Sequence, residues 1–384
     1  MHIAYVSSSV VPSRAANSVH VMKMSSAMAS LGHDVRLYVI GSPIETDPFE
    51  YYGVAQDFTI ERVVRPAIRG IGAVIHAFAL RQKLRNAAPV DEIHGRAPYA
   101  LLLASGYDAP IVYHVHATPD HRAKRTAEAA LFRRPNFKRL VAVSNALADE
   151  YRRIFPSLEK AEVVTAPNGA EVIASGSESP TAADWPGRSG APQVGYVGHL
   201  YPGRGIDVVL GMAEAMPQAD FHVIGGTDSD IAKWRGHATG GSVLFHGFVQ
   251  PGELWSYYSQ IEVALAPYQR AVHMEGGGGN SVRWMSPMKL FDYMIHRVPT
   301  VASDLPAIRE ILTDGQTAVL VEPDDVEQWV QAVSSLIDNP TRRETIAEAA
   351  FQLVSTEYTW QKRAERSLID GGIVNGRGSI ETIR

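Results

Sequence analysis

Residues 286–312 read SPMKLFDYMIHRVPTVASDLPAIREIL. Ser286 suits a helix N-cap and Pro287 the first helical position. The spacing therefore predicts a first turn that presents the unpaired N–H groups of Met288, Lys289 and Leu290. Such an end carries about half a positive charge and favours an anion. One carboxylate, Asp292, lies a turn and a residue further in, too deep to cap. It suits two hydrogen bonds from a vicinal diol, as acids make with ribose hydroxyls, and equally a solvated helix face. A short buried strand and a second helix follow, and the glycine run EGGGGNS at 275–281 precedes, placed to drape over whatever the helix start holds.

Outward from this block the same alternation recurs. Strands are predicted at 2–6, 34–40, 111–115, 139–143, 193–198, 220–225, 243–246 and 262–266. Between them run helical patterns such as 17–31, with Val21, Met24, Met28 and Leu31 at helical spacing and Gly32 as the stop. Strand–helix alternation implies parallel sheets covered on both faces. Residues 174–192, ASGSESPTAADWPGRSGAP, have no apolar period and read as a linker. The expected division is an N-terminal domain 1–173, the linker, a C-terminal domain 193–360, and a last segment 361–384 whose helix crosses back to the first domain.

Composition limits the function classes. A chain of 384 residues exceeds one ordinary core. With 45% hydrophobic and 20% charged residues it reads as a globular enzyme. A net charge of −5 argues against nucleic acid as partner. The absence of cysteine excludes disulfides, thiolate catalysis and cysteine zinc sites. The start MHIAYVSSSVVPSR lacks a basic n-region, and no apolar run approaches the roughly 18 residues of a membrane span. The expected location is cytoplasmic, with membrane association at the cytoplasmic face as an option.

Ligands of open α/β sheets sit beyond the carboxyl ends of strands, so the loops there carry the candidates. After strand 193–198 comes GHLYPGRGIDVV, with Gly195, Gly198, Gly203 and Gly205 around Arg204 and a helix following. Glycine permits close backbone approach, and the helix start offers free amides. The pattern is neither a Walker A loop nor a dinucleotide fingerprint. It fits phosphate binding or a tight turn with a solvated arginine. DSD at 228–230 reads as the cap of a helix, and no metal is expected.

Taken together, the 286–312 block, VGYVGHLYPGRGIDVVL, VIGGTDSDI and FHGFVQPGELWSYYSQIEVALAPY resemble a retaining nucleotide-sugar glycosyltransferase of glycosyltransferase family 4 over nearly the whole chain. The resemblance implies the GT-B fold: two Rossmann-like, doubly wound parallel-sheet domains facing across a cleft. It implies no cofactor and a nucleoside diphosphate sugar as donor. On it, Arg204 meets the diphosphate, the amides after Pro287 hold phosphates or sugar, and Asp292 holds the ribose. Gly198, Gly203, Gly225, Gly247, Phe248 and Val249 line the donor, the last three along the base. Departures from the family pattern are visible. Its two glutamates stand eight positions apart, whereas here Trp284 occupies the first place and Asp292 the second. Its arginine after VGYVG is His199, and its lysine before the glycine is Arg204, which gains a bidentate fork. His199 fits either a phosphate contact or a plain turn position, and Glu275 is the candidate to replace the lost first acid.

In the N-terminal half, Arg14, Asn17 and Ser18 follow the first strand and fit either the cleft or a capped turn. IVYHVHATPD places His114 and His116 on one face of a strand end, and Ser144 and Asn145 stand at another. The resemblance maps His116 onto the family's cleft histidine, which approaches and orients the donor sugar. The turn Asn168–Gly169 reads as structural. Residues 121–139 carry seven Lys/Arg against one Glu, and 62–85 add Arg62, Arg65, Arg69, Arg81, Lys83 and Arg85 around IGAVIHAFAL. Basic residues bordering apolar ones suit an anionic membrane or a lipid diphosphate as well as a solvated face.

The expected activity is sugar transfer to an acceptor hydroxyl with retention, the acceptor being a glycan, a lipid-linked sugar or a small molecule. Arg204, His116 and His199 are the expected catalytic residues. A nucleotide-sugar epimerase or hydrolase and a non-catalytic nucleotide-sugar-binding partner are the alternatives.

Overall fold

In a computed structural model, residues 1–369 are described apart from 67, 69–70, 105, 173–184, 239–241 and 273–279. The chain forms two compact units. Unit 1 is Met1–Pro167 together with the C-terminal stretch from Trp360, and unit 2 is Asn168–Thr359.

Unit 1 is built on seven parallel strands: β1 (His2–Val11), β2 (Asp34–Gly41), β3 (Thr59–Arg62), β4 (Glu92–Gly95), β5 (Ile111–Val115), β6 (Phe137–Ala142) and β7 (Glu162–Thr165). Their spatial order is β3-β2-β1-β4-β5-β6-β7, so the winding reverses between β1 and β4. Helix Ala16–Ser30 buries Val21, Met22, Met24 and Met28, the period read from the sequence. Helix Trp360–Ser367 packs on it. Its trailing end is tied down by Arg139, which donates to the carbonyls of Arg366 (3.2 Å), Leu368 and Ile369 (3.1 Å) and is paired with Glu162.

Unit 2 has six parallel strands: β8 (Gln193–Val197), β9 (Asp220–Ile224), β10 (Val243–Gly247), β11 (Val263–Ala266), β12 (Thr300–Ser303) and β13 (Val319–Val321). The order β10-β9-β8-β11-β12-β13 reverses between β8 and β11. Val209, Met212, Phe221, Val223, Leu265 and Trp329 form part of the core on one face of this sheet. Both units are thus doubly wound, as expected, and each has one crevice position at the carboxyl ends of its strands.

Several expectations change. β3 and β4 were not read as strands. TIER at β3 lies on the sheet edge with polar residues, and EIHG at β4 is polar yet fully buried, because Glu92 and His94 pair with each other (2.7 Å). Gly95 is required there, since a Cβ would come 2.5 Å from Val6 Cγ2. Of the expected linker 174–192, residues 174–184 lie outside the described residues. Residues 185–192 are not loose: Trp185 stacks on His222 at 3.8 Å and Arg188 pairs with Asp220 at 2.8 Å. The unit boundary falls at 167/168 rather than 173/174, because Asn168 and Ala170 are bonded into unit 2.

Candidate functional site

At the β8/β11 reversal of unit 2, two glycine turns meet. Gly203 and Gly205 have φ of +85° and +79°, and a Cβ on them would lie 1.9 Å from Ala271 O and 1.8 Å from Pro267 O. The turn after β8 therefore rests directly on the segment after β11, which only glycine allows at both positions. A third contact comes from β9: a Cβ on Gly225 (φ +124°) would lie 2.1 Å from Gly198 O. Gly247 closes β10 with φ of +82°, and Phe248 and Val249 follow it.

Two cations stand in this place. The Arg204 guanidinium carbon is 5.3 Å from the centre of the Tyr268 ring, and its Nε is buried without a hydrogen-bond partner among the described residues. Lys289 Nζ lies 3.6 Å from the Tyr196 ring centre and 5.2 Å from that of Tyr268, also without a hydrogen-bond partner among the described residues. Burial, with the Arg204 charge adding to it, holds the Lys289 ammonium well below the usual lysine pKa. A Cβ at Gly198 would reach 3.0 Å from Lys289 Nζ, so the glycine leaves that face of the ammonium open. Two like charges on aromatic faces, with these donor nitrogens unpaired among the described residues, suit a multiply charged anion.

Helix Met288–Ile295 begins one residue later than the spacing implied. Pro287 is its N-cap residue, and Ser286 does not cap. Instead Ser286 Oγ accepts from Asn168 N (2.9 Å) and Ser286 O accepts from Asn168 Nδ2 (2.6 Å), so the serine clamps the Asn168 turn. Leu290 N already donates to Pro287 O (3.2 Å), which removes one of the three amides assigned to a ligand. Asp292 Oδ2 receives a long contact from Tyr258 Oη (3.5 Å), and His296 Nδ1 faces Asp292 O at 2.8 Å. Asp292 is thus half-buried and partnered rather than a fully solvated helix residue.

His199 holds its ring parallel to Tyr201 at 4.9 Å while its carbonyl accepts from Tyr196 Oη (2.6 Å). Asp230 belongs to a capping box with Thr227, and Asp228 follows in the first turn. Among the described residues no three His, Cys, Asp or Glu side chains gather as metal ligands. Trp284 is half-buried beside Arg283, and Glu275 lies outside the described residues.

In unit 1 the expected residues divide. Arg14 and Asn17 are exposed, and Asn17 O accepts from Arg96 Nη1 (3.3 Å). Ser18 is buried and donates to Ala15 O (2.6 Å), so it locks its own loop instead of facing a ligand. Ser144 caps helix Asn145–Ile154 by accepting from Leu147 N (3.2 Å). His114 and His116 do come together at the end of β5, and with them the structure gathers His20, Arg96 and Arg363. The sequence carried no signal for that gathering, since the residues come from four separate stretches. The sequence pattern marks Lys289 only as an amide donor, whereas its ammonium stands beside Arg204.

Two family models match the chain: Glycosyltransferase Family 4 over residues 18–172 and Glycosyl transferases group 1 over residues 191–339. The chain carries the two domains of a GT-B glycosyltransferase. Among curated relatives, glycogen synthase of Mycobacterium tuberculosis is 27% identical, covering 89% of this chain and 87% of that protein. Phosphatidyl-myo-inositol mannosyltransferase of Mycolicibacterium smegmatis is 23% identical over 89% and 86%. The solved structure of Anabaena HepE in complex with UDP-glucose shares the fold, with a TM-score of 0.70 at 14% identity, covering 95% of this chain and 98% of that one. As a glycosyltransferase, the chain has its glycine turns, Arg204 and Lys289 in the group 1 domain and His114 and His116 in the family 4 domain.

Proposed function

We propose that this glycosyltransferase moves a sugar from a nucleoside diphosphate sugar to an acceptor hydroxyl with retention of anomeric configuration, in the synthesis of a glycan or glycolipid. One observation carries the donor half: Arg204 Nε and Lys289 Nζ, both without a hydrogen-bond partner among the described residues, lie together at the β8/β11 reversal, under turns that require glycine. As the glycosidic bond to phosphate breaks, negative charge collects on the leaving diphosphate. Arg204, Lys289 and the amides of Met288 and Lys289 are placed to bind that charge, an electrostatic contribution of about 3–4 kcal/mol per well-aimed donor. This arrangement needs no metal ion or cofactor. Asp292 takes the ribose diol, and residues 247–249 line the base. No protein nucleophile enters this reading. A departing phosphate oxygen takes the acceptor proton, and His116 orients the sugar.

The acceptor half rests on the family 4 domain and its surface. Six of the eight large apolar side chains exposed among the described residues fall in one stretch: Val64, Ile68, Ile71, Val74, Ile75 and Phe78. Arg62, Arg65, Arg81 and Arg85 border them. No described helix is long and apolar enough to cross a membrane. An apolar patch rimmed by arginines suits the surface of an anionic bilayer, and with it a lipid-linked acceptor on the cytoplasmic face.

The test is product analysis with UDP- and GDP-sugars, with and without lipid and glycan acceptors, resolved for anomeric configuration. Transfer with retention that requires an acceptor is expected. Donor consumption without acceptor, an inverted product, or binding without turnover would each replace this reading.

A further inference from the structure

The cluster in unit 1 is polar in excess of anything that satisfies it. Nine buried atoms there have no hydrogen-bond partner among the described residues: Tyr5 Oη, both ring nitrogens of His20 and of His116, His114 Nδ1, and Nε, Nη1 and Nη2 of Arg363. Tyr5 comes from β1, His114 and His116 from the end of β5, His20 from the helix after β1, and Arg363 from the C-terminal helix. Arg96 follows β4 and spends one donor on Asn17 O. The residues stand close. The ring centres of His20 and His116 are 4.5 Å apart, those of Tyr5 and His114 are 5.5 Å apart, and all three histidines feel the charges of both Arg96 and Arg363.

Buried polar atoms in native proteins are hydrogen-bonded, and a guanidinium with three bare nitrogens at 1% exposure carries a large desolvation penalty. Glu92, an acid of this unit's core, is committed: Oε2 to His94 Nε2 (2.7 Å) and Oε1 to Ile369 N (3.3 Å). Burial lowers the pKa of Arg363, and Arg96 adds to this; the three imidazoles are pushed well down by burial first. These nitrogens therefore suit an acceptor of hydrogen bonds that carries negative charge. Guanidinium groups favour oxyanions with paired oxygens, phosphate above all. The place is also the β1/β4 reversal of the sheet, where doubly wound units take their ligands.

We propose that unit 1 holds a phosphate-binding site of its own, formed by Arg96 and Arg363 with Tyr5, His20 and His116 around them. The phosphate is either part of an acceptor, in which case the assignment deepens the transfer reading, or a free ion.

The experiment titrates inorganic phosphate by calorimetry into the full chain already saturated with the nucleoside diphosphate that raises its melting temperature most. Saturable heat is expected. It should weaken about tenfold or more in Arg363→Met and in Arg96→Met, the scale of a lost charge-assisted bond, and persist in Arg204→Ala. If Arg363→Met fails to fold, Tyr5→Phe and His20→Gln carry the same expectation. The Arg204→Ala arm keeps this site separate from that of unit 2, so the failure of either reading is visible alone. Competition of phosphate with acceptor in turnover assigns the ion to the acceptor, and its absence assigns a free ion. No saturable heat, heat unchanged in the Arg96 and Arg363 variants, or a phosphate-soaked crystal with only water between these nitrogens would overturn the proposal.

Discussion

The two strand-order reversals make an informative pair. At β8/β11 the site is made of backbone: Gly198, Gly203, Gly205 and Gly225 bring loops within contact distance, and the cations Arg204 and Lys289 lie over tyrosine rings. At β1/β4 the site is made of side chains: histidines, Tyr5 and two arginines fill the same topological position, with Gly95 serving only strand packing. One topology offers the crevice twice, and the loop residues decide what it holds. Glycine turns suit an extended diphosphate that needs amides on several sides. A shell of bulky polar side chains suits a small, compact anion.

The largest effect is expected at unit 2. Arg204→Ala should lower turnover by about 10²–10³-fold with the fold intact by circular dichroism. Lys289→Met should also lower turnover, while raising the melting temperature, because it removes a buried ammonium that has no hydrogen-bond partner among the described residues. If Lys289→Met lowers stability and spares turnover, the ammonium belongs to the core and the contrast between the two reversals narrows.

Next comes Gly205→Ala. Its φ of +79° and the 1.8 Å approach to Pro267 O should cost about 1–3 kcal/mol and weaken nucleotide binding together, read from urea midpoints and calorimetry. Gly95→Ala should cost stability through Val6 without touching nucleotide affinity. Equal losses of affinity in both would erase the backbone-versus-side-chain distinction.

A pH series comes third. Burial holds His20, His114 and His116 well below 6.5 and His222 at about 4. In each case the unfolded chain binds the proton first as pH falls. Stability is therefore full above about pH 6.5 and declines below it, where the unfolded state carries more protons. Urea midpoints from pH 8 to 5 should trace this fall, and His222→Phe should shallow it. The smallest effect is Ser286→Ala, which removes one acceptor of the Asn168 clamp and should cost about 1 kcal/mol.

Much of the framework was legible along the chain. The alternation of strands and helices, the Val21–Met24–Met28 stripe, the glycines of 198–205 and the block after Ser286 are local patterns set by periodicity and backbone freedom, and these depend on neighbours in sequence. β4 was not legible, because a polar EIHG passes for a loop until Glu92 meets His94. Ser286 passed for a cap until Asn168, more than a hundred positions away, proved to be its partner. The ammonium of Lys289 beside Arg204, and the convergence of Tyr5, His20, Arg96, His116 and Arg363, belong to tertiary structure alone. Charge, burial and hydrogen-bond debt are properties of groups brought together in space, and the local pattern that sets a strand or a turn does not record which distant side chains will share its dielectric.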